Sequence, residues 1–143
     1  RTLAELVSRP EPPIRLSLHE FPVFGPASEA AAASAQATAT QGGHLRFHEA
    51  LMAAPLRPSK ASMERIVTSI GLDIEKYRQA LSSPAVAKEL VKTRAVGELF
   101  GFYGTPSMIV GRTVVIGRIP PTDLERLIDL ERVEAASDRC RVN

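Results

Sequence analysis

From Ile14 to Phe21 apolar and polar residues alternate, with Ile14, Leu16 and Leu18 set against Arg15, Ser17 and His19. A period of two puts each set on its own face of an extended chain, which predicts a β-strand. Before it, Thr2-Leu-Ala-Glu-Leu-Val7 reads as helix, broken by Arg9-Pro-Glu-Pro-Pro13. After it, Phe21-Pro-Val-Phe-Gly-Pro26 is a stiff loop, because proline fixes φ and removes a backbone donor.

From Ala27 the period becomes helical. Ala27 to Thr40 is alanine-rich, and alanine has the best helix propensity. Gln41-Gly-Gly43 ends that helix. His44 to Ala54 forms a second, with Leu45, Phe47, Leu51 and Met52 as its apolar members, ended by Pro55 and Pro58. Ser59 is a candidate cap for a third, whose Met63, Ile66, Val67 and Ile70 share one face. Asp73 caps a short fourth carrying Ile74, Tyr77 and Leu81. Ser83-Pro84 opens a fifth that runs to about Phe100 and is expected to bury Ala87, Leu90, Val91, Ala95 and Leu99. Met108 to Val110 and Thr113 to Ile116 flank Gly111-Arg112 and predict a β-hairpin. Thr122-Asp-Leu-Glu125 reads as a capping box that opens a last helix, bearing Leu124, Leu127 and Ile128 and running to about Ala136. The polar tail from Ser137 is expected to fray.

The order is helix, strand, five helices, hairpin, helix. An early strand and a late hairpin separated by helix suggest an α/β fold whose sheet is interrupted by a helical insertion. The expectation is one domain over residues 1–136, with the insertion at about 27–100 and a tail at 137–143.

Composition narrows the function classes. The 143 residues are 44% hydrophobic and 24% charged, with 18 basic against 16 acidic side chains and a net charge of +2. There is no basic block, which argues against nucleic acid. No apolar run approaches a membrane span. The one cysteine, Cys140, is near the C-terminus and reads as a spare thiol; no intramolecular disulfide is possible within these residues. The chain opens inside a helix at Arg1, without a cap or a signal peptide, so residues are expected to be missing upstream.

Few residues suggest chemistry. Gly104-Thr105-Pro106 stands just before the hairpin. An X-Pro bond is the one place where a cis peptide is cheap, and a cis bond there would turn the Thr105 backbone outward to pair with an extended peptide. An ordinary trans loop proline is the simpler reading of the spacing alone. Phe102 and Tyr103 abut this loop and are candidates for the floor of an apolar peptide groove, or for core. Glu20 continues the apolar alternation, so it is either an inward carboxylate able to accept a proton or a partly solvated one. His44 and His48, four apart, share a helix face. They lack the Glu of the zinc-protease motif, so packing or surface roles are preferred to metal. No phosphate loop, nucleophile elbow or dinucleotide fingerprint is present.

Four segments in order carry a family resemblance. They are His19-Glu-Phe-Pro-Val-Phe-Gly-Pro26, the alanine-rich Ala27 to Ala39, Gln41-Gly-Gly-His-Leu-Arg-Phe-His-Glu-Ala-Leu-Met52, and Gly104-Thr-Pro-Ser-Met-Ile-Val-Gly111-Arg-Thr-Val-Val-Ile-Gly117. Together, over roughly residues 3–130, the chain resembles DsbA-like thiol–disulfide oxidoreductases. The resemblance implies a thioredoxin-like sheet interrupted by a multi-helix insertion, truncated at its N-terminus. It also implies a Cys-x-x-Cys motif opening the first helix, whose second cysteine is expected within a few residues before Arg1. That motif is removed by processing or cloning, hidden by disorder, or lost in this member.

What the resemblance implies for function is exchange of protein thiols and disulfides through a mixed disulfide. Glu20 is then a candidate proton acceptor, and Thr105, Pro106, Tyr103 and Phe102 are candidate substrate-binding residues. No cofactor is needed, because cysteines carry the electrons. Partners would be protein or peptide thiols and disulfides, with a membrane redox partner as an addition and no nucleic acid; the location would be the periplasm or cell envelope. Two alternatives stay open. One is a non-catalytic thioredoxin-fold peptide-binding module. The other is a glutathione-dependent enzyme resembling kappa-class glutathione transferases or chromene-carboxylate isomerases. Oxidase, reductase and isomerase are not distinguished, nor is oligomeric state.

Overall fold

The computed structural model describes Glu5, residues 14–54 and residues 58–141, the side chains of 138–141 excepted. It is mostly helical with one small sheet. Helices α1 (Pro26–Thr38), α2 (His44–Ala53), α3 (Lys60–Ser69), α4 (Ile74–Leu81) and α5 (Pro84–Leu99) precede strands β1 (Ser107–Val110) and β2 (Thr113–Ile116), and α6 (Pro121–Arg141) follows. A 3-10 turn, Ala39–Gln41, extends α1. The chain divides into two compact units, residues 18–101 and residues 1–17 with 102–143. Among the described residues no helix is long and apolar enough to cross a membrane.

The helical unit is built around α1, which packs against each of α2 to α5. Its buried residues are Ala31, Ala32, Ser34, Ala35, Ala37 and Thr38, so nearly every face is covered. Small side chains make this possible, since neighbouring helices can approach closely on all sides. The polar members are satisfied locally: Ser34 Oγ donates to the Ala30 carbonyl at 2.8 Å and Thr38 Oγ1 to that of Ala35 at 2.7 Å. Around α1 lie Phe47, Met63, Val67, Tyr77 and Val86, all buried. The Tyr77 hydroxyl donates to Ser34 Oγ at 2.9 Å.

Helix boundaries follow local chemistry. Ser59 caps α3 by accepting from the Ser62 N–H, and Ser62 Oγ accepts from the Ser59 N–H in return. Asp73 accepts from the Glu75 and Lys76 amides, which pulls its carboxyl below the ordinary value. Ser83 caps α5, with Pro84 at its first position. The Gln41 side chain reaches the backbone of Asp73, donating to its carbonyl and accepting from its N–H, both at 3.0 Å, and so ties the end of α1 to the start of α4.

In the second unit β1 and β2 form an antiparallel hairpin, in register Ser107↔Ile116 to Val110↔Thr113. Gly111 opens its two-residue turn at φ 58°, a backbone region that favours glycine. Leu124 of α6 is buried.

Four sequence expectations are corrected. Residues 14–23 form no strand. Their alternating exposure persists, but strand hydrogen bonds need a neighbour, and among the described residues β1 and β2 are the only strands and pair with each other. In α5 the buried positions are Val86, Thr93 and Gly97, whereas Val91 and Leu99 are 68% and 80% exposed and Ala87 and Ala95 are exposed too. The reason is Gly97, which meets the Phe21 ring so closely that a Cβ would lie 2.7 Å from Cε2. The small-residue face of α5 is therefore the one that packs. The last helix starts at Pro121, not behind a Thr122 cap, because proline is preorganised for the first helical position and the Pro120 carbonyl accepts from Leu124 N–H. It continues to Arg141 rather than fraying from Ser137, whose Oγ bonds the Val133 carbonyl. The expected first helix at Thr2–Val7 lies outside the described residues except for Glu5, which is helical.

Candidate functional site

The hairpin unit carries Phe102, Tyr103, Thr105 and Pro106 on one loop leading into β1. Tyr103 is 83% exposed, Thr105 and Pro106 are exposed, and Phe102 is half-buried. The Thr105–Pro106 peptide bond is cis. Two hydrogen bonds fix the loop: Ser107 Oγ donates to the Gly104 carbonyl at 2.7 Å, and the Gly117 N–H donates to the Pro106 carbonyl at 2.8 Å. Among the described residues no hydrogen bond engages the Thr105 N–H or carbonyl. A fixed loop thus presents an unpaired backbone donor and acceptor beside an exposed aromatic ring. Two open surface cavities, one lined by Glu64, Arg65 and Ile74 and one by Thr122, Arg126 and Val133 among others, include neither Phe102 nor Tyr103.

The far end of the same hairpin is clasped by α6. Glu131 accepts from the Arg112 N–H at 2.9 Å and from the Thr113 hydroxyl. The Thr113 and Arg112 bonds hold the Glu131 carboxyl below its ordinary value. A Cβ at position 111 would run into the Glu131 side chain, which would have to move. Arg112 also reaches Glu134, at 2.6 Å. Nothing in the sequence pattern marks Glu131 for this task, because the contact joins a helix face to a turn across 18 or more residues.

Glu20 belongs to the helical unit. It is 17% exposed, the inward one of the two placements the alternation allows, and its neighbours are His44 and His48. His44 Nε2 lies 2.9 Å from Glu20 Oε1, and His48 Nδ1 lies 3.6 Å from the same oxygen. Burial alone would raise the Glu20 carboxyl, but the two imidazoles outweigh it and hold it down to about 2. The interaction with Glu20 raises the His48 pKa against the burial that would lower it, and the charges of Glu20 and Glu49 add to the rise. Glu20 therefore stays ionised near neutral pH, and His48 is the neighbour whose proton it holds more tightly than usual. Their shared face was legible from the spacing, but the carboxylate that uses it was not. Among the described residues no group of three His, Cys, Asp or Glu side chains is arranged to hold a metal ion.

The protein-family model of the DSBA-like thioredoxin domain matches residues 6–129. A thioredoxin-like oxidoreductase from Silicibacter pomeroyi DSS-3 is similar in structure with a TM-score of 0.74 and 32% identity, over 80% of this chain and 66% of that one. The thiol-disulfide exchange protein alpha-DsbA2 from Wolbachia pipientis is similar with a TM-score of 0.72 and 26% identity, over 78% of this chain and 62% of its own. Proteus mirabilis ScsC in a compact conformation shares the fold at a TM-score of 0.69 and 20% identity, over 81% and 64% of the two chains. The chain spans less than two thirds of the length of each. Among curated proteins none matches.

Proposed function

The chain belongs to the DSBA-like thioredoxin domain family, and we propose that it supplies the scaffold and the proline side of a thiol–disulfide exchange site acting on protein thiols and disulfides. The observation that carries the reading is the exposed, hydrogen-bond-fixed Tyr103–Pro106 loop with the unpaired Thr105 backbone. An extended substrate strand would use the Thr105 N–H and carbonyl for backbone pairing and rest an apolar side chain on Tyr103, with Phe102 beneath.

The reaction needs two cysteines upstream of Arg1. A thiolate of that pair attacks a substrate disulfide, one substrate sulfur leaves as a thiolate and takes a proton, and a mixed disulfide forms. The second cysteine then attacks the mixed disulfide, releasing the other substrate thiol and leaving the pair oxidised. Two electrons pass from the pair to the substrate, or the reverse when the pair starts oxidised, so no cofactor is required. In this reading residues 1–136 belong to one thioredoxin-like domain, and the site of action is the periplasm or cell envelope. Glu20 enters as the ionised anchor of His44 and His48.

A second reading is favoured by the cysteine content: with Cys140 alone, residues 1–143 form no intramolecular disulfide. A thioredoxin fold without the pair would bind extended peptides without turnover. Insulin reduction by the complete protein separates the two. Turnover that disappears when the upstream pair is changed to serine supports exchange. Absence of turnover with an intact Cys-x-x-Cys overturns it.

A further inference from the structure

Two adjacent residues tie the segment at 18–23 to the helices of its own unit. Phe21 lies against Gly97 of α5, an apolar contact with no titratable part. Glu20 turns to α2, where one carboxylate oxygen faces His44 at the first helical position and His48 one turn later. We propose that Glu20, His44 and His48 form a proton-controlled latch that holds residues 18–23 to the first turns of α2, tight while His48 carries its proton and slack once it has lost it.

The two imidazoles contribute differently. At 2.9 Å His44 Nε2 makes a hydrogen bond that a neutral ring also makes in its Nε2–H tautomer. At 3.6 Å His48 Nδ1 is beyond a good hydrogen bond, so its attraction to Glu20 is chiefly that of its charge and leaves with its proton. The partial burial of Glu20 limits screening by water and salt. Histidine titrates in the range where such a change matters to a cell or its envelope.

The surrounding charges leave the latch to these groups. Glu49, on α2 itself, adds to the attraction for a protonated His48. Arg46 is engaged with the Ile70 carbonyl at 3.0 Å. Of the helices packed on α2, α1 buries only Ala, Ser and Thr, and the Glu64 carboxylate of α3 is taken by Arg78. Among these contacts no other cation replaces His48 at Glu20. When His48 is neutral, the His44 bond and the Phe21–Gly97 contact remain, so the response is a local loosening and not unfolding.

The test is backbone 15N relaxation on the full-length protein near pH 5.5 and near pH 8.0. In the wild type the order parameters of Leu18, His19, Glu20 and Phe21 are expected to fall from about 0.85 toward about 0.6 between the two conditions. His48→Gln is expected to show the lower values at both pH values, and His48→Arg, a permanent cation, the higher values at both. The amide resonances of α3 and α4 report whether a variant keeps the fold. Should His48→Gln disturb them, the wild type against His48→Arg decides. Order parameters that do not change with pH in the wild type overturn the proposal, as does a wild-type pH response surviving in a folded His48→Arg.

Discussion

Oε1 of Glu20 lies 2.9 Å from Nε2 of His44, at the junction of an extended segment and a helix start. With His48 near the same oxygen, the pair of shifts sets a pH window for stability. In the unfolded chain Glu20 titrates near 4.5, and in the fold it is held to about 2. Its contribution is therefore complete above about 4.5 and fades as pH falls toward 2. His48 titrates near 6.5 when unfolded and higher in the fold. Its contribution is complete below 6.5 and fades as pH rises through the raised value. The two shifts share the Glu20–His48 interaction and are not additive. Urea unfolding is expected to give the greatest stability between pH 4.5 and 6.5, falling by about 1 kcal/mol by pH 8 after allowance for solvent screening. Glu20→Gln should flatten that decline; an unchanged profile would count against the assignment.

Gly97 is the position where α5 meets Phe21. A Cβ there would lie 2.7 Å from Cε2 and 3.1 Å from Cδ2 of the ring. Gly97→Ala is expected to destabilise the protein by about 1–3 kcal/mol through overpacking, despite alanine's better helix propensity. Combining it with Phe21→Leu should return part of the loss in urea midpoints. Gly97→Ala that stabilises by the helix-propensity difference would show that this face does not pack as described.

How much of this was legible in the chain depends on how local each cause is. Ser59, Asp73 and Ser83 cap the helices that their positions predicted, because a cap involves residues two or three apart. The hairpin followed from Gly111 between two β-branched runs. The packed face of α5 did not, because hydrophobicity points to Val91 and Leu99 while the contact is made by Thr93 and Gly97, whose value lies in being small. The segment at 14–21 shows strand alternation but gains no strand pairing, which depends on a neighbour and not on its own residues. At the site, the loop at Tyr103–Pro106 is visible as a motif, whereas the alternation leaves Glu20 open between an inward and a partly solvated carboxylate. Its two histidines were paired with each other by spacing, yet their common partner stands 24 residues upstream of His44.

The Tyr77 hydroxyl is buried and donates to Ser34 Oγ at 2.9 Å, while Ser34 donates onward to the Ala30 carbonyl. Burial raises the Tyr77 hydroxyl above its ordinary value, so it remains a neutral donor. Tyr77→Phe keeps the ring and removes one hydrogen bond. The expected cost is about 1 kcal/mol, read from urea unfolding, and it should shrink in a Ser34→Ala background.

At the hairpin turn, Gly111 combines φ 58° with the Glu131 side chain standing where a Cβ would lie. Gly111→Ala is expected to cost about 1–2 kcal/mol from the backbone conformation alone, with crowding of Glu131 added. Gly111→Asn tolerates that conformation but not the crowding, so it should recover only part of the loss. Full recovery by asparagine in thermal unfolding would leave the Glu131 contact without weight.

The central claim is that the Thr105 backbone is the substrate-pairing edge of a disulfide-exchange site. The most direct measurement uses the complete protein with its resolving cysteine changed to serine, trapped as a mixed disulfide with an extended cysteine peptide. Hydrogen exchange at the Thr105 amide is compared with that of the reduced protein. The account predicts at least about tenfold slower exchange at Thr105 in the trapped complex, with shifted Tyr103 ring resonances, as an added strand takes up the free donor. A trapped complex in which Thr105 exchanges as fast as before and Tyr103 is unmoved would contradict it.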